Sequence, residues 1–312
     1  MLYICLLFEN KIEARKLKPS MKKIVLLLTI LTLSISFFSC EDLDDNQVEP
    51  MLIIKFKFDP NQARLNNLGQ PSFVPFGNGA QSPVFNKISS HYIEFAKDAN
   101  TQLGDGSIVY HGQETTIGGA NAIDFSKAKI VAEGEAFLEI PLKDLAIGSY
   151  EWLRVSLSYQ NYQIKIRKPG SSLEYDGTLE SFVGFNTYIG THSIGNTFFQ
   201  VDANKPQGYW AFALNDFPYS ASGQAPAGAT TVPNPIAATS SIPLTSCVVT
   251  GKFNTPLEIT GLEKKNVVIT VSLSTNKSFE WIDTNGNGKF DPSQGENVVD
   301  MGLRGLIPSY TK

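Results

Sequence analysis

Short segments in which apolar and polar residues alternate constrain the fold of this chain more than any other sequence feature. In residues 51–58 (M-L-I-I-K-F-K-F), Ile54, Phe56 and Phe58 alternate with lysines, and residues 267–274 (V-V-I-T-V-S-L-S) repeat the pattern. A period of two is typical of a strand with one buried face. Turn signals recur about every 8–12 residues, which favours a sandwich over βαβ units. Residues 51–312 are therefore predicted to form an all-β, antiparallel β-sandwich with long loops and very little helix.

Two segments bear on whether this region is one domain. The sequence K-P-G-S-S (168–172) is a possible sub-boundary. Residues 219–243 are rich in Ala, Ser, Thr, Pro and Gly and carry no charge. We expect the second segment to be a surface loop rather than a linker, because the strands on either side of it look incomplete alone.

Residues 21–40 contain the pattern of an export signal. Met21 is followed by two lysines, residues 24–38 are apolar, and the small Ser39 precedes Cys40. The stretch resembles a bacterial lipoprotein signal, which implies removal of residues 21–39 and acylation of Cys40. Its apolar run of fifteen residues is shorter than the roughly 20 that a membrane-spanning helix needs. The alternative is an ordinary secretory signal with an incidental cysteine.

The residues on either side of this signal refine the prediction. Residues 1–20 place charges and a proline ahead of a complete signal, so we expect Met21 to be the initiator and the upstream segment not to be translated. The acidic run E-D-L-D-D-N after Ser39 and Cys40 resembles the export signal of Bacteroidota-type surface lipoproteins. This implies an outer-membrane protein that faces the exterior, held by its N-terminal lipid, with residues 40–50 as an acidic tether. The alternative is a solvated acidic spacer.

Charge and cysteine content exclude some partners and one kind of cross-link. Of the 26 basic and 30 acidic residues, 6 and 2 lie in positions 1–39, which leaves a net charge of about −8. Such a chain is not expected to bind nucleic acid or an anionic bilayer electrostatically, whereas a glycan or protein ligand is compatible with it. Cys247 is the one cysteine after Cys40, so the mature chain cannot form an intramolecular disulfide. We expect Cys247 to be a buried strand residue; the alternative is a thiolate metal ligand.

The sequence W-I-D-T-N-G-N-G-K-F-D-P-S-Q-G-E (281–296) has the spacing of a calcium-binding loop. Oxygen side chains at alternate positions can converge on one cation, and Gly288 at the sixth position allows the positive φ that the turn requires. The acid usual at position twelve is a glutamine here, and an acid at position fourteen replaces it. The stretch resembles D-x-N-x-N-G-x-x-D loops of extracellular bacterial β-domains, which a strand enters. The predicted ligands are Asp283, Asn285, Asn287, the Lys289 carbonyl, Asp291 and Glu296; the alternative is a plain Asn-Gly turn.

A second candidate metal site involves two histidines. His91 and His111 lie on neighbouring predicted strands and could meet across a sheet to bind Cu or Zn. The alternative is a half-exposed strand residue in each case. No G-x-S-x-G, H-E-x-x-H or C-x-x-C motif occurs, so the sequence predicts no catalytic residue.

Acidic and aromatic residues leave two further alternatives open. Asp176 and Glu180 could form an acid pair for glycoside chemistry, although solvated surface acids are commoner. A sugar-stacking platform could be formed by some of the plentiful aromatic residues, although such residues also fill sandwich cores. The aromatic candidates are Trp152, Tyr188, Tyr209, Trp210 and Trp281.

Four short motifs resemble the MbnP-like copper-binding domain of exported bacterial lipoproteins. They are the opening strand M-L-I-I-K-F-K-F, the central I-G-S-Y-E-W, the strand G-Y-W-A-F-A-L and the late S-F-E-W. The resemblance implies a β-sandwich and copper as a possible cofactor. No copper ligand of that family maps residue by residue onto this chain.

Together these observations predict a lipid-anchored cell-surface binding or adhesion module, stabilised by calcium in the 283–296 loop, rather than an enzyme. The first alternative is metal handling, with copper, as in MbnP-like proteins. The second is a hydrolase that acts on surface glycans.

Overall fold

The computed structural model describes residues 49–66, 68–167, 170, 172–225, 242–243, 245–301 and 303–312. Residues Glu49–Lys312 form one compact unit. The predicted signal peptide, Cys40 and most of the acidic tether lie outside the described residues. So do residues 168, 169 and 171 of the possible sub-boundary and most of the uncharged 219–243 segment.

Regular structure in the described part of the chain is nearly all β, which confirms the predicted fold class. The strands are β1 Met51–Asp59, β2 Asn78–Gln81, β3 Val84–Ala96, β4 Ser107–His111, β5 Glu114–Thr115, β6 Ala122–Asp124, β7 Ala136–Pro141, β8 Gly148–Arg167, β9 Glu174–Phe182, β10 Asn186–Ile194, β11 Thr197–Pro206, β12 Tyr209–Leu214, β13 Ser220–Gln224, β14 Cys247–Ile259, β15 Val267–Ser274, β16 Phe279–Ile282, β17 Val298–Met301 and β18 Arg304–Thr311. Short 3-10 turns occur at Phe125–Lys127, Leu142–Asp144 and Pro292–Gln294. Within the described residues, no helix is long and apolar enough to cross a membrane.

The strands form four sheets in the described structure. The largest runs β13-β12-β9-β8-β3-β4, and β14 also pairs with β8. The second runs β18-β15-β1-β7, and the two smaller sheets are β11-β10-β6-β5 and β17-β16-β2. Most strand pairs are antiparallel, as predicted. Two are parallel, β1 with β15 and β6 with β10. The sequence could not predict this, because alternation reveals the buried face of a strand but not the direction of its neighbour.

The main core lies between the β1 sheet and strands β3, β8 and β14. Ile54 and Phe56 of β1 and Ile269 and Val271 of β15 are at most 1% exposed, so the predicted alternation is the one observed. Each such side chain contributes about 1.5–3 kcal/mol through burial. This packing of two sheets face to face gives the fold its sandwich-like character.

A second core holds the start and the middle of the 283–296 loop. Phe279 and Trp281 precede the loop on β16, and Phe290 lies within it. The ring centroid of Phe290 is 5.1 Å from that of Phe279 and 5.5 Å from that of Trp281. The loop is therefore held on an aromatic cluster rather than by its polar residues alone.

A buried ion pair fixes β3 on β8. Glu94 and Arg154 are 0% and 3% exposed, and the Arg154 guanidinium donates to Glu94 Oε1 at 2.7 Å and to the Thr101 carbonyl at 2.5 Å. Glu94 Oε2 accepts from the Tyr92 hydroxyl and from the Gly104 N–H. The network thereby ties β3 and β8 to the connection that leads into β4.

Candidate metal centres

The hairpin of β3 and β4 brings the two predicted histidines together. Tyr92 lies opposite His111 in the strand register, and the Gly112 N–H donates to the His91 carbonyl at 2.6 Å. The imidazole centroids of His91 and His111 are 4.7 Å apart. The expectation that they could meet across a sheet is confirmed, whereas the alternative of two half-exposed residues is wrong for His91, which is 1% exposed.

Glu114 completes a cluster of three potential ligands. Its Oε1 lies 2.9 Å from Nε2 of His91 and 3.8 Å from Nε2 of His111. One ligand atom from each residue lies within 4.8 Å of the other two. A tetrahedral ion with bonds of about 2.0–2.1 Å would separate its ligand atoms by roughly 3.3 Å, so small side-chain movements suffice to enclose one.

Neighbouring groups orient two of the three ligands. The Nδ1–H of His111 donates to the Gly112 carbonyl at 3.0 Å, which leaves the lone pair of Nε2 on the side of Glu114. Asn121 donates to Glu114 Oε2 at 2.7 Å and leaves Oε1 between the imidazoles. Hydrogen bonds of this kind fix tautomer and ring orientation in metal sites.

Burial keeps His91 uncharged. Desolvation, followed by the nearby charge of His111, lowers the pKa of His91 from 6.5 to about 4, against the opposing effect of Glu114. A neutral imidazole is the form that binds a metal ion, so His91 needs no deprotonation at neutral pH. Its Nδ1 is buried and has no hydrogen-bond partner among the described residues.

Sequence reasoning missed Glu114. The signal that could have found it is its position three residues after His111, with Gly112 and Gln113 turning the chain between β4 and β5. A strand alone would point residues 111 and 114 to opposite faces. The turn places both side chains on one side.

The first half of the 283–296 loop has the predicted backbone. Strand β16 leads into it, and φ is +69° at Gly288 and +70° at Gly286. Oδ1 of Asp283 and Oδ1 of Asn285 both accept the Asn287 N–H, at 3.1 and 3.0 Å. The oxygens of positions one and three therefore lie near the same point. Each keeps further lone pairs for a cation.

The second half of the loop supplies two buried acids. Asp291 and Glu296 are 6% and 4% exposed, and Glu296 Oε2 accepts the Asp291 N–H at 2.6 Å. Glu296 Oε1 is buried and has no hydrogen-bond partner among the described residues. Burial, together with the carboxylates of Asp283 and Asp291, raises the pKa of Glu296. A cation at this point would remove that repulsion.

The remaining predicted ligands of the loop are Asn287 and the Lys289 carbonyl. Asn287 Oδ1 accepts the Lys289 N–H at 2.7 Å, and the Lys289 ammonium pairs with Glu174 at 2.8 Å, so only the Lys289 carbonyl is a candidate ligand. Arg167 lies 3.8 Å from Asp291 Oδ2 and offsets part of the negative charge. Among the described residues, His91, His111 and Glu114 form the group of at least three His, Cys or acidic residues whose ligand atoms all lie within 4.8 Å of one another. The three loop carboxylates do not all lie that close together.

The structure also places the predicted acid pair, Cys247 and the aromatic candidates. Asp176 is exposed and pairs with Lys165 at 2.6 Å, whereas Glu180 is buried and accepts from Tyr159 and from His192, so the two acids have different partners. Cys247 is buried on β14, as predicted, and burial raises the pKa of its thiol to about 12. Among the aromatic candidates, Tyr209 and Trp281 are core residues, while Trp152, Tyr188 and Trp210 are half-buried.

The fold and these clusters define an all-β, sandwich-like protein with two candidate cation sites. Comparisons of this chain with protein-family models, with curated proteins and with solved structures found no match. The resemblances to surface lipoproteins and to MbnP-like domains remain predictions from the sequence.

Proposed function

We propose that this protein is an exported binding module that holds a divalent transition metal between His91, His111 and Glu114. The observation that carries the proposal is the convergence of these three ligand atoms at one end of the β3–β4 hairpin. Two imidazoles and a carboxylate suit Zn²⁺ and Cu²⁺, and Cu²⁺ binds such nitrogen-rich sites more tightly. An ion at His91 Nε2 would replace the hydrogen bond to Glu114 and shift the imidazole proton to Nδ1.

The exposure of the cluster supports metal handling rather than a closed structural site. The His91 side chain is 0% exposed, whereas those of His111 and Glu114 are 48% and 26% exposed. An ion held by three protein ligands keeps an open position for water or a ligand. We further propose that the protein displays this site at the outer membrane through a lipid on Cys40, the setting that residues 21–45 predict.

The expected result is that His111→Ala weakens binding of Cu²⁺ and Zn²⁺ at pH 7 at least about 100-fold, because one of three ligands is lost. Glu114→Gln should weaken binding comparably, and Asn121→Ala by about 10–100-fold through loss of orientation. Isothermal titration calorimetry measures all three. Glu139→Gln changes an exposed strand glutamate outside the cluster and should bind as the wild type does. Equal affinities for the His111 and Glu139 variants would exclude this site.

A second proposal concerns the 283–296 loop, which we infer to bind structural calcium. The buried, unpartnered Oε1 of Glu296 beside Asp283 and Asp291 supports it, because such an oxygen is costly unless a cation or donor reaches it. Calcium prefers oxygen ligands of this kind, and millimolar extracellular calcium would fill a site of Kd about 10⁻⁴–10⁻³ M.

Calcium at tenfold excess over its Kd is expected to stabilise the protein by about 1.4 kcal/mol, and Asp283→Ala should remove that increment. Thermal unfolding in EDTA and in Ca²⁺ measures it. Asp98→Ala is the matched control, since Asp98 caps a turn through the N–H groups of Asn100 and Thr101 far along the chain from the loop. The Asp98 variant should keep the calcium increment; if the Asp283 variant keeps it too, the loop is an ordinary turn.

Glu296→Gln separates the effect of the Glu296 charge on stability from its proposed role as a calcium ligand. Folding raises the pKa of Glu296. The folded protein therefore loses stability as pH rises above the ordinary pKa of a glutamate and the carboxyl is forced to ionise. In EDTA at pH 7 the Gln variant should therefore be at least as stable as the wild type, while it loses the response to Ca²⁺.

A further inference from the structure

A pocket with a cavity volume of about 90 Å³ lies between β12 and the 283–296 loop. Residues of β9, β12, β13, β17 and the 283–296 loop line it, among them Trp210, Phe212, Gln224, Phe290, Glu296 and Asn297. This volume is below the roughly 300–1,000 Å³ of drug-sized sites, which limits an occupant to a small group such as a single ring. Glu296 is also a predicted calcium ligand, whereas the other lining residues belong to neither proposed cation site.

One wall is a rigid aromatic surface. Trp210 and Phe212 lie on the same face of β12, with ring centroids 5.9 Å apart and planes 19° from parallel. Gly223 on β13 lies opposite Trp210, and a Cβ at Gly223 would come within 2.6 Å of Cζ2 of the indole. The glycine thus lets the indole lie flat against β13, in one orientation. Phe290 adds a third ring to the lining.

The rest of the lining used here is polar. Glu296 is one of the lining residues, and its Oε1 accepts no hydrogen bond from the described residues. Gln224 donates to the Gln207 carbonyl at 2.7 Å, which leaves its amide oxygen as an acceptor. Asn297 is exposed and offers both a donor and an acceptor. The pocket therefore combines aromatic faces with several hydrogen-bonding groups, one of which lacks a partner.

We propose that this pocket binds one sugar ring of a glycan, with its C–H face on the aromatic wall and its hydroxyls on Glu296, Gln224 and Asn297. An apolar ligand would leave the polar groups of Gln224 and Asn297 without partners, at a cost that sugar hydroxyls avoid. Anionic ligands are disfavoured, because Asp283 and Asp291 lie near Glu296. A pyranose ring supplies both an apolar face and hydroxyl donors.

The proposal is independent of the histidine cluster but shares Glu296 with the calcium proposal. Asp283 does not line the pocket, but it interacts with Glu296, so Asp283→Ala removes a calcium ligand and also alters the surroundings of Glu296. Trp210 and Asn297 are not among the predicted calcium ligands, so changes there test the sugar alone. A Trp210→Ala variant that keeps the calcium increment but binds the sugar more weakly therefore distinguishes the two proposals.

The probes are methyl β-D-glucopyranoside, methyl α-D-mannopyranoside and N-acetyl-D-glucosamine, tested on the whole protein by saturation-transfer NMR and calorimetry. At least one is expected to bind with Kd of about 1 mM, the range for a ligand of this size. Trp210→Ala should weaken binding about tenfold through loss of the aromatic contact. Trp152→Ala is the matched control, because Trp152 is also half-buried but lies on β8 outside the pocket lining.

Asn297→Ala guards against a folding artefact. Its side chain is exposed, and the Asn297 carbonyl that accepts the Ile282 N–H is retained. This variant should keep the wild-type melting temperature and bind the sugar more weakly. Absence of binding by all three probes at 20 mM, or equal affinities for the wild type, Trp210→Ala and Asn297→Ala, would overturn the proposal.

Discussion

Glu94→Gln is expected to lower the free energy of unfolding by about 3–5 kcal/mol, because it leaves the Arg154 guanidinium buried without a counter-charge. The carboxylate also accepts from Tyr92 and from the Gly104 N–H, so its loss weakens the connection that leads into β4. Urea denaturation of the variant and the wild type measures the difference. Because β3 and β4 carry His91 and His111, the same change should weaken metal binding.

Asp176→Asn is the matched control for this prediction. Asp176 and Lys165 also form an ion pair between neighbouring strands, but their side chains are 49% and 57% exposed. Exposed pairs contribute about 0–1 kcal/mol, because solvent screens them and ordering them costs entropy. A loss for Glu94→Gln as small as that for Asp176→Asn would mean that Arg154 reaches water or another partner.

Acidification is expected to destabilise the metal-free protein as pH falls from about 6.5 to about 4. In this window the unfolded chain protonates His91, whereas the folded state, in which the pKa is about 4, does not. The folded state binds fewer protons, so stability falls with pH, by about 3 kcal/mol for a shift of this size. Unfolding measured in EDTA across this range, together with an NMR titration of His91, tests the prediction.

Two variants isolate the cause of this acid sensitivity. His91→Gln removes the titrating group, so the part of the pH dependence due to His91 should disappear. His111→Gln removes the nearby charge, which is the second cause of the low pKa, so His91 should titrate closer to 6.5 and the acid sensitivity should shrink. If His91 of the wild type titrates at its ordinary pKa, burial does not control its charge.

Much of the fold follows from local pattern, because burial repeats with the strand period. The alternation in β1 and β15 predicts which side chains lie in the core, and the structure buries those residues. The same pattern contains no information on partners, so the parallel pairing of β1 with β15 could not be predicted. The long, largely buried β8 is likewise visible as strand, but not as the strand that pairs with β3, β9 and β14.

The candidate sites could be predicted where their residues lie close together in the sequence. The positive φ of Gly288 follows from the loop motif, and the structure has it. The histidines were identified as a pair because both lie on neighbouring strands. Glu114 was not, because the strand that carries it has only two residues, which is too short for an alternating pattern to reveal it. Nor does sequence reveal that Glu296 Oε1 is left without a donor, since that depends on packing around the loop.

The parallel pairing of β1 with β15 also determines when this protein can fold. Strand β1 can complete its pairing only after β15, which is close to the C-terminus, has formed, and β18 then pairs with β15. Closing so large a loop costs chain entropy before any contact repays it, so folding should be slow and set by topology. A ribosome or export channel that releases this chain from its N-terminus would leave one edge of β1 unpaired until nearly all of the chain has emerged, because β7 pairs only with the other edge. Truncation of the last strands should therefore abolish folding of the whole unit rather than fray one edge.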